Sequence, residues 1–485
     1  MQQFLFLAAL LAFCGTARSA DFAPSLQWVK TAGGSGLSTA TAAGTDAGGN
    51  LYIAGNTSSI DFPAVSAAQP NPGGSPLVRI NAGTRAAQKL YPPGLSSIAS
   101  IAADPRNSNT LYATSANTIW HSADAGSTWT LLYSFASSIR VPCAAVDPSN
   151  SDILYAGTDS QGVFKSTDGG LTWTAITKGI PPDSNGATDV YRIWIEPQQP
   201  GVILAASSSG VLRSADGGAT WAVVLKTDIV NNTLAFDPLS PGTVYLAETT
   251  GPIVKSSDGG LTFTALPPLP GGGPATALIA DPLHAGVLYA GLASNIFQSL
   301  DGGVTWTAKG AGYAFLLAAD PNRPVLYADI LNVGIVKSTD GFNTVSPAGP
   351  PNASLTQMLV TGENLLLVVQ PSDDVFVLKL DPNGNIVYST YFGGSGNDMT
   401  GALAMGADGS VYVGGVTESP DLPVTAGAYE SSAPSPFTAS NFILKLNPNG
   451  SLGWATYFAD YRAKVHAIAL DSAGNPYVSG LSAGG

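Results

Sequence analysis

The chain is poor in cysteine, histidine and charge, and each shortage removes a class of explanation. Its two cysteines are Cys14 and Cys143. Removal of the N-terminal segment would leave Cys143 alone, so no intramolecular disulfide can brace the fold and stability must come from packing. Cys143 itself stands in the apolar run Val141–Val146 and reads as a buried, inert thiol. The three histidines, His121, His284 and His466, are scattered, and no Cys/His spacing suits a metal, so neither metal nor cofactor is expected. Charged residues make up only 11%, and the net charge of −13 comes without a Lys/Arg cluster. That pattern excludes an electrostatic footprint for nucleic acid or an anionic membrane. There is no phosphate-binding or dinucleotide fingerprint. The apolar run Phe4–Phe13 is too short to span a bilayer but fits a secretory signal over residues 1–20, cleaved between Ala17 and Ala20. A secreted or cell-envelope protein without a transmembrane segment in its mature chain is therefore expected, as a monomer.

Glycine (56) and proline (35) are plentiful, and they punctuate short runs of aromatic and β-branched residues. This composition predicts an all-β chain with many tight turns. Six copies of Ser-x-Asp-x-Gly-x-Thr-Trp recur, with aspartates Asp124, Asp168, Asp216, Asp258, Asp301 and Asp340 spaced 39 to 48 residues apart. The aromatic position holds Trp129, Trp173, Trp221 and Trp306; Phe263 takes it in the fourth copy, and the sixth is decayed. Upstream of most copies an apolar strand ends in Asp-Pro (Asp104, Asp147, Asp237, Asp281, Asp320; Glu196 once) and a Leu-Tyr-Ala strand follows. Proline cannot donate to a ladder, so Asp-Pro ends the first strand and turns the chain. The Asp of the hairpin can accept bonds from following N–H groups while Gly takes the positive φ. The unit is thus four strands, about the length of a propeller blade. Its aspartates and tryptophans read as structural.

These hairpins resemble the Asp-box (BNR) propellers, which include sialidases, xyloglucan-cleaving glycosidases, sortilin-type receptor domains and photosystem II assembly factors. The flanks differ. Asp46–Thr57 followed by Asp61-Phe62-Pro63 recurs as Ala407–Thr417 followed by Asp421-Leu422-Pro423, with a third start at Asp471. Leu378–Gly384 likewise recurs as Leu444–Gly450. This pattern is similar to the bacterial SBBP propeller repeat. The expected organisation is a signal at 1–20, an SBBP-like N-terminal blade at 21–94, Asp-box blades at 95–350, and SBBP-like blades at 351–485 with the last incomplete. Within it, single blades are read near 37–93, 354–395 and 397–458, giving about nine four-stranded blades in one or two rings. With only two strands after residue 462, the last blade is expected to be truncated at the C-terminus; whether the chain continues past Gly485 is not legible from the sequence.

The sites implied by the resemblance are hard to place. A sialidase-like centre would need clustered arginines, and Tyr191-Arg192-Ile193 matches that family's Arg-Ile-Pro start only in part and stands in the third Asp-box unit. A xyloglucan-cleaving enzyme would need two carboxylates across a cleft. Once turn acids are set aside, Asp159, Asp183, Asp189, Asp228 and Asp329 remain, and solvated loop acids are the plainer reading. Trp120, Trp194 and Tyr191 are contact candidates. The sequence therefore favours an exported, non-catalytic scaffold that binds a protein or glycan through loops on a ring face. An Asp-box-type polysaccharide hydrolase and an envelope assembly factor are the alternatives.

Overall fold

The computed structural model describes residues 38–482 except 46–50, 59–63, 68–76, 82–86, 91–94, 96, 184–185, 228, 293–294, 311, 332, 349–354, 362–363, 370–371, 382–384, 434–438, 461–462 and 472. The expected signal at 1–20 lies outside the described residues, as does Asp228. Every described regular element is a strand, and these assemble into nine four-stranded antiparallel sheets and one two-stranded pair. The chain divides into two compact units, residues 76–92 with 97–370, and residues 1–75 with 93–96 and 371–485.

The first of these units is a β-propeller of seven blades. Six are continuous in sequence: blade 1 (100–134), blade 2 (143–175), blade 3 (190–225), blade 4 (229–265), blade 5 (277–308) and blade 6 (314–347). Blade 7 is composite, with Leu355–Thr361 and Asn364–Val369 supplying two strands and Leu77–Asn81 and Ala87–Leu90 the other two. The contiguous blades read at 37–93 and 354–395 are therefore corrected. Ser38–Thr45 and Leu51–Thr57 pair instead with Asp374–Leu380 and Ile386–Phe392, in the other unit. A free ladder edge accepts any strand of matching pattern, so local sequence could not show which half-blade each pair completes.

The seam between blades 7 and 1 is tied at two levels. Gln357 donates to the Ile101 carbonyl at 2.8 Å and accepts from its N–H at 2.9 Å, and Arg79 donates to Ser127 Oγ at 2.8 Å in the first hairpin. Other seams repeat the second device. Lys165 Nζ donates to the Gly217 carbonyl at 2.9 Å, and Arg213 Nε to that of Gly259 at 2.7 Å.

Each hairpin closes on itself. The Ser hydroxyl donates to Asp Oδ1 and accepts from the N–H four residues on; Asp Oδ1 then accepts from the Thr N–H and Oδ2 from the Thr hydroxyl. In the first copy these bonds measure 2.8, 2.9, 2.8 and 2.7 Å. The same bonds form at Asp168, Asp216, Asp258, Asp301 and Asp340. The Trp129, Trp173 and Trp306 indoles donate to the carbonyl of their own hairpin glycine, whereas Trp221 donates to Ile176 of blade 2. In the sixth copy Phe342 adopts the glycine's positive φ of 63°. Its buried ring packs edge-on against Tyr289 of blade 5.

The second unit holds the sheet containing Ser38–Thr45, a sheet of residues 398–460, and the pair Ala463–Leu470 with Pro476–Ser482. Tyr52, Val377, Tyr388, Val413, Phe442 and Tyr457 form its core.

Candidate active site

Strand alternation sorts the acids of the seven-bladed unit onto two faces. Within a blade the Asp-Pro turn joins strands one and two and the hairpin joins strands three and four, so both lie at one end of the antiparallel sheet. The loop between strands two and three, and the passage to the next blade, lie at the other. The Asp-Pro carboxylates are buried and accept from the N–H two residues on, as at Asp147 to Ser149 (2.8 Å) and Asp281 to Leu283 (2.8 Å). Asp159, Asp183, Asp189 and Asp329 belong to the opposite face.

Three of these acids meet around one tyrosine. Asp189 Oδ1 accepts from the Ser160 N–H at 2.6 Å, and its Oδ2 accepts from the Tyr191 hydroxyl at 3.4 Å. Asp183 accepts from the Ala187 N–H at 2.9 Å, and Asp159 lies 3.8 Å from the exposed Arg140. Tyr191 is 41% exposed. Partial burial, then Asp189, Asp159 and Asp183, hold its hydroxyl above the ordinary phenol range. It is thus a proton-bearing donor at neutral pH, unsuited to act as a nucleophile.

Asp329 stands apart, on the second strand of blade 6. Its cross-strand neighbours are Leu316 and Ile335, and it is only 8% exposed. Burial alone pushes its carboxyl up to about 6. At the start of the same blade, Tyr313 and Phe315 lie with ring centroids 4.4 Å apart and tilted by 41°, Phe315 being 41% exposed. The Tyr313 carbonyl accepts from Leu331 N–H at 2.8 Å, and Leu331 and Val333 extend the apolar shelf at the surface. A carboxyl raised to about 6 carries its proton in mildly acidic solution, which suits a general acid there, and aromatic rings suit the apolar faces of sugars.

The five acids singled out in the sequence thus separate: three gather, one lies three blades away, and Asp228 is outside the described residues. Trp194 is half-buried between blades 3 and 4, and Trp120 is half-buried with its indole on Thr118 Oγ1 at 2.9 Å, so Tyr191 is the exposed member of that trio. Sequence reasoning missed Tyr313 and Phe315. The signal for Asp329 was present in the repeats, since its slot holds Thr114, Gly157, Ala206, Ala247 and Gly291 in other blades. Among the described residues no group of His, Cys, Asp and Glu is arranged to hold a metal ion, and no helix is long and apolar enough to cross a membrane.

No protein-family model matches the chain. A stretch is 33% identical over 115 residues to a xyloglucanase of Hypocrea jecorina, covering 18% of this chain and 14% of that enzyme. Another is 29% identical over 109 residues to a xyloglucanase of Paenibacillus sp, covering 17% and 11%. The matches thus span a small part of these relatives' length. Among solved structures, the Niastella koreensis GH74 enzyme superimposes over 93% of this chain and 71% of its own, with a TM-score of 0.50 and 18% identity, a likeness of fold. The expected non-catalytic binding scaffold is corrected by these findings, because the curated relatives are polysaccharide hydrolases.

Proposed function

We propose that this protein is a glycoside hydrolase acting on a polysaccharide of the xyloglucan class. The observation that carries the reading is the pair of xyloglucanase matches. The geometry adds, on blade 6, a buried acid with a raised pKa and an aromatic pair at the start of the same blade. Asp329 is the general acid, protonating the leaving glycosidic oxygen. The Tyr191 cluster lies three blades away, farther than the carboxylate separation one glycosidic bond allows, so the partner carboxylate of Asp329 is left unassigned. The hairpins, of Asp-box type, and the SBBP-like flanking repeats serve as scaffold. The apolar run Phe4–Phe13 supports export, where such a substrate is met.

The test is release of reducing ends from xyloglucan and a panel of other glucans by the full chain. Turnover on a xyloglucan-type substrate, reduced by about a hundredfold or more in Asp329→Asn, is expected. Absence of turnover from folded protein at high concentration, across the panel, overturns the hydrolase.

A further inference from the structure

Asp398 opens the strand Asp398–Met405 in the second unit, and it has no exposed surface. The loop that leads into it, residues 393–397, crosses from the sheet containing Ser38–Thr45 and is held by three backbone donors. Gly394 N–H donates to Asp398 Oδ2 at 2.8 Å, Ser395 N–H to Asp421 Oδ1 at 2.7 Å, and Gly396 N–H to Ser419 Oγ at 2.9 Å. Ser419 Oγ donates in turn to Asp398 Oδ2 at 2.8 Å. Each of these bonds ends, directly or through Ser419, on a carboxyl group.

The other oxygen of Asp398 is differently placed. Among the described residues Asp398 Oδ1 is buried without a hydrogen-bond partner, a state that disfavours an ionised carboxylate. The groups set against it are acids. A Cβ at Gly393 would overlap Asp374 Oδ1 and lie 2.7 Å from Asp398 Oδ2, so the two carboxyls share the space beside that glycine. Asp374 is also fully buried. On the same loop Asn397 donates to Glu418 Oε2 at 2.9 Å and accepts from the Asp373 N–H at 3.2 Å. Of the strands packed alongside, Ala463–Leu470 carries Lys464 and the exposed His466, and Asp374–Leu380 carries Lys379, which lies 5.0 Å over the Tyr52 ring. Burial above all, and then Asp421, push the Asp398 carboxyl up to about 7, against bonds from Thr417, Gly394 and Ser419 that favour its charge.

The chain contains its own comparison. Gly-Gly-Ser-Gly precedes Ser38 as it precedes Asp398, and both residues stand opposite a threonine, Thr57 and Thr417, in their ladders. Ser38 Oγ meets Thr57 Oγ1 at 2.8 Å. A carboxyl is therefore not needed to start this strand.

We propose that Asp398 is a pH-operated clasp on the crossing between the two four-stranded sheets of the second unit: with its proton it lets loop 393–397 close on it, and once ionised beside Asp374 and Asp421 it loosens that loop. The closed loop holds the proton more tightly than the open one does. Closure is therefore strongest below the ordinary carboxyl value of 3.8, weakens as pH rises, and is constant above about 7.

Amide hydrogen exchange of the full chain, corrected for intrinsic rate, reads the clasp at Gly394, Ser395 and Gly396. Between pH 5 and 7 their protection is expected to fall about tenfold per pH unit, then to change little up to pH 9, while Val411–Thr417 keeps its protection. Protection that is flat or rises between pH 5 and 7 overturns the clasp. Parallel loss in Val411–Thr417 overturns it too, because the event is then unfolding of the whole unit. Asp398→Asn, neutral at every pH, makes the profile flat. Should that variant fail to fold, Asp398→Ser installs the residue that the chain uses at position 38. A pH slope that persists in the variant overturns the assignment to Asp398.

Discussion

Two acids show how a single side chain's surroundings set its role. Asp329 has a carboxyl at about 6, above its ordinary value of 3.8, because Leu316 and Ile335 rather than water surround it. The native state therefore holds this proton more tightly than the unfolded chain does. The stability contributed by Asp329 falls as pH rises from about 4 to 6, and the cost is constant above that. Asp329→Asn removes the cost, so denaturant titration at pH 7 should show a gain of about 3 kcal/mol at most, together with loss of turnover. Glu196 is a second buried acid pushed up by its burial, in a slot built for a shorter side chain. It occupies an Asp-Pro slot with one methylene too many, and its buried oxygens lie near the Gln198 and Gly242 N–H groups without a well-aligned bond to either. At the equivalent position Asp237 accepts from Leu239 at 3.0 Å and from Gly286 of the next blade at 2.8 Å. Glu196→Asp is expected to restore both bonds and stabilise the chain by about 1 kcal/mol, read from the denaturant midpoint.

The repeated hairpin is held by bonds that span at most four residues, which is why it survives sequence drift in the neighbouring strands. Its carboxylate is the acceptor for the Thr hydroxyl, the Thr N–H and the Ser hydroxyl, and these bonds hold Asp168, Asp216 and Asp301 down to about 2. The sign is opposite to that of Asp329. Stabilisation is fully present above the unfolded value near pH 4 and is lost as pH falls through about 2. Circular dichroism on acidification should show the seven-bladed unit losing its sheet signal between about pH 4 and 2. Asp216→Asn, which keeps the acceptor oxygen but not the charge, should move that transition to a lower unfolding temperature at pH 7 and flatten its acid limb. An acid profile identical to the parent would show that the hairpin bonds do not differ between the native and unfolded chains.

At the scale of the whole molecule, closure depends on a strand pair far from its partners in sequence. Leu77–Asn81 is hydrogen-bonded to Asn364–Val369, and Arg79 then reaches the first hairpin. Residues 76–370 therefore contain a complete ring, whereas residues 97–370 leave blade 7 with two strands and an open edge. The longer piece should unfold in one cooperative transition and the shorter should aggregate or melt well below it, as measured by scanning calorimetry and light scattering. Equal melting of both would mean that the composite blade adds nothing to the ring. Because closure joins distant segments, folding of this unit should also be slow relative to that of its hairpins.

Sequence alone determined the repeated unit. Asp-Pro, Leu-Tyr-Ala and the Ser-x-Asp-x-Gly-x-Thr hairpin are written in residues that contact one another within a few positions, so turns, strand count per blade and total blade number were legible. Only the tertiary structure decided partnership. It assigned 77–90 to blade 7 and 38–57 to another sheet, because an unpaired ladder edge carries the same N–H and C=O groups whichever strand approaches. It also set the chemistry of Asp329 and joined Arg192 to Ser100 across 92 residues. A carboxyl's proton affinity and a cross-blade contact are properties of what surrounds a side chain in space, and no spacing along the chain records that.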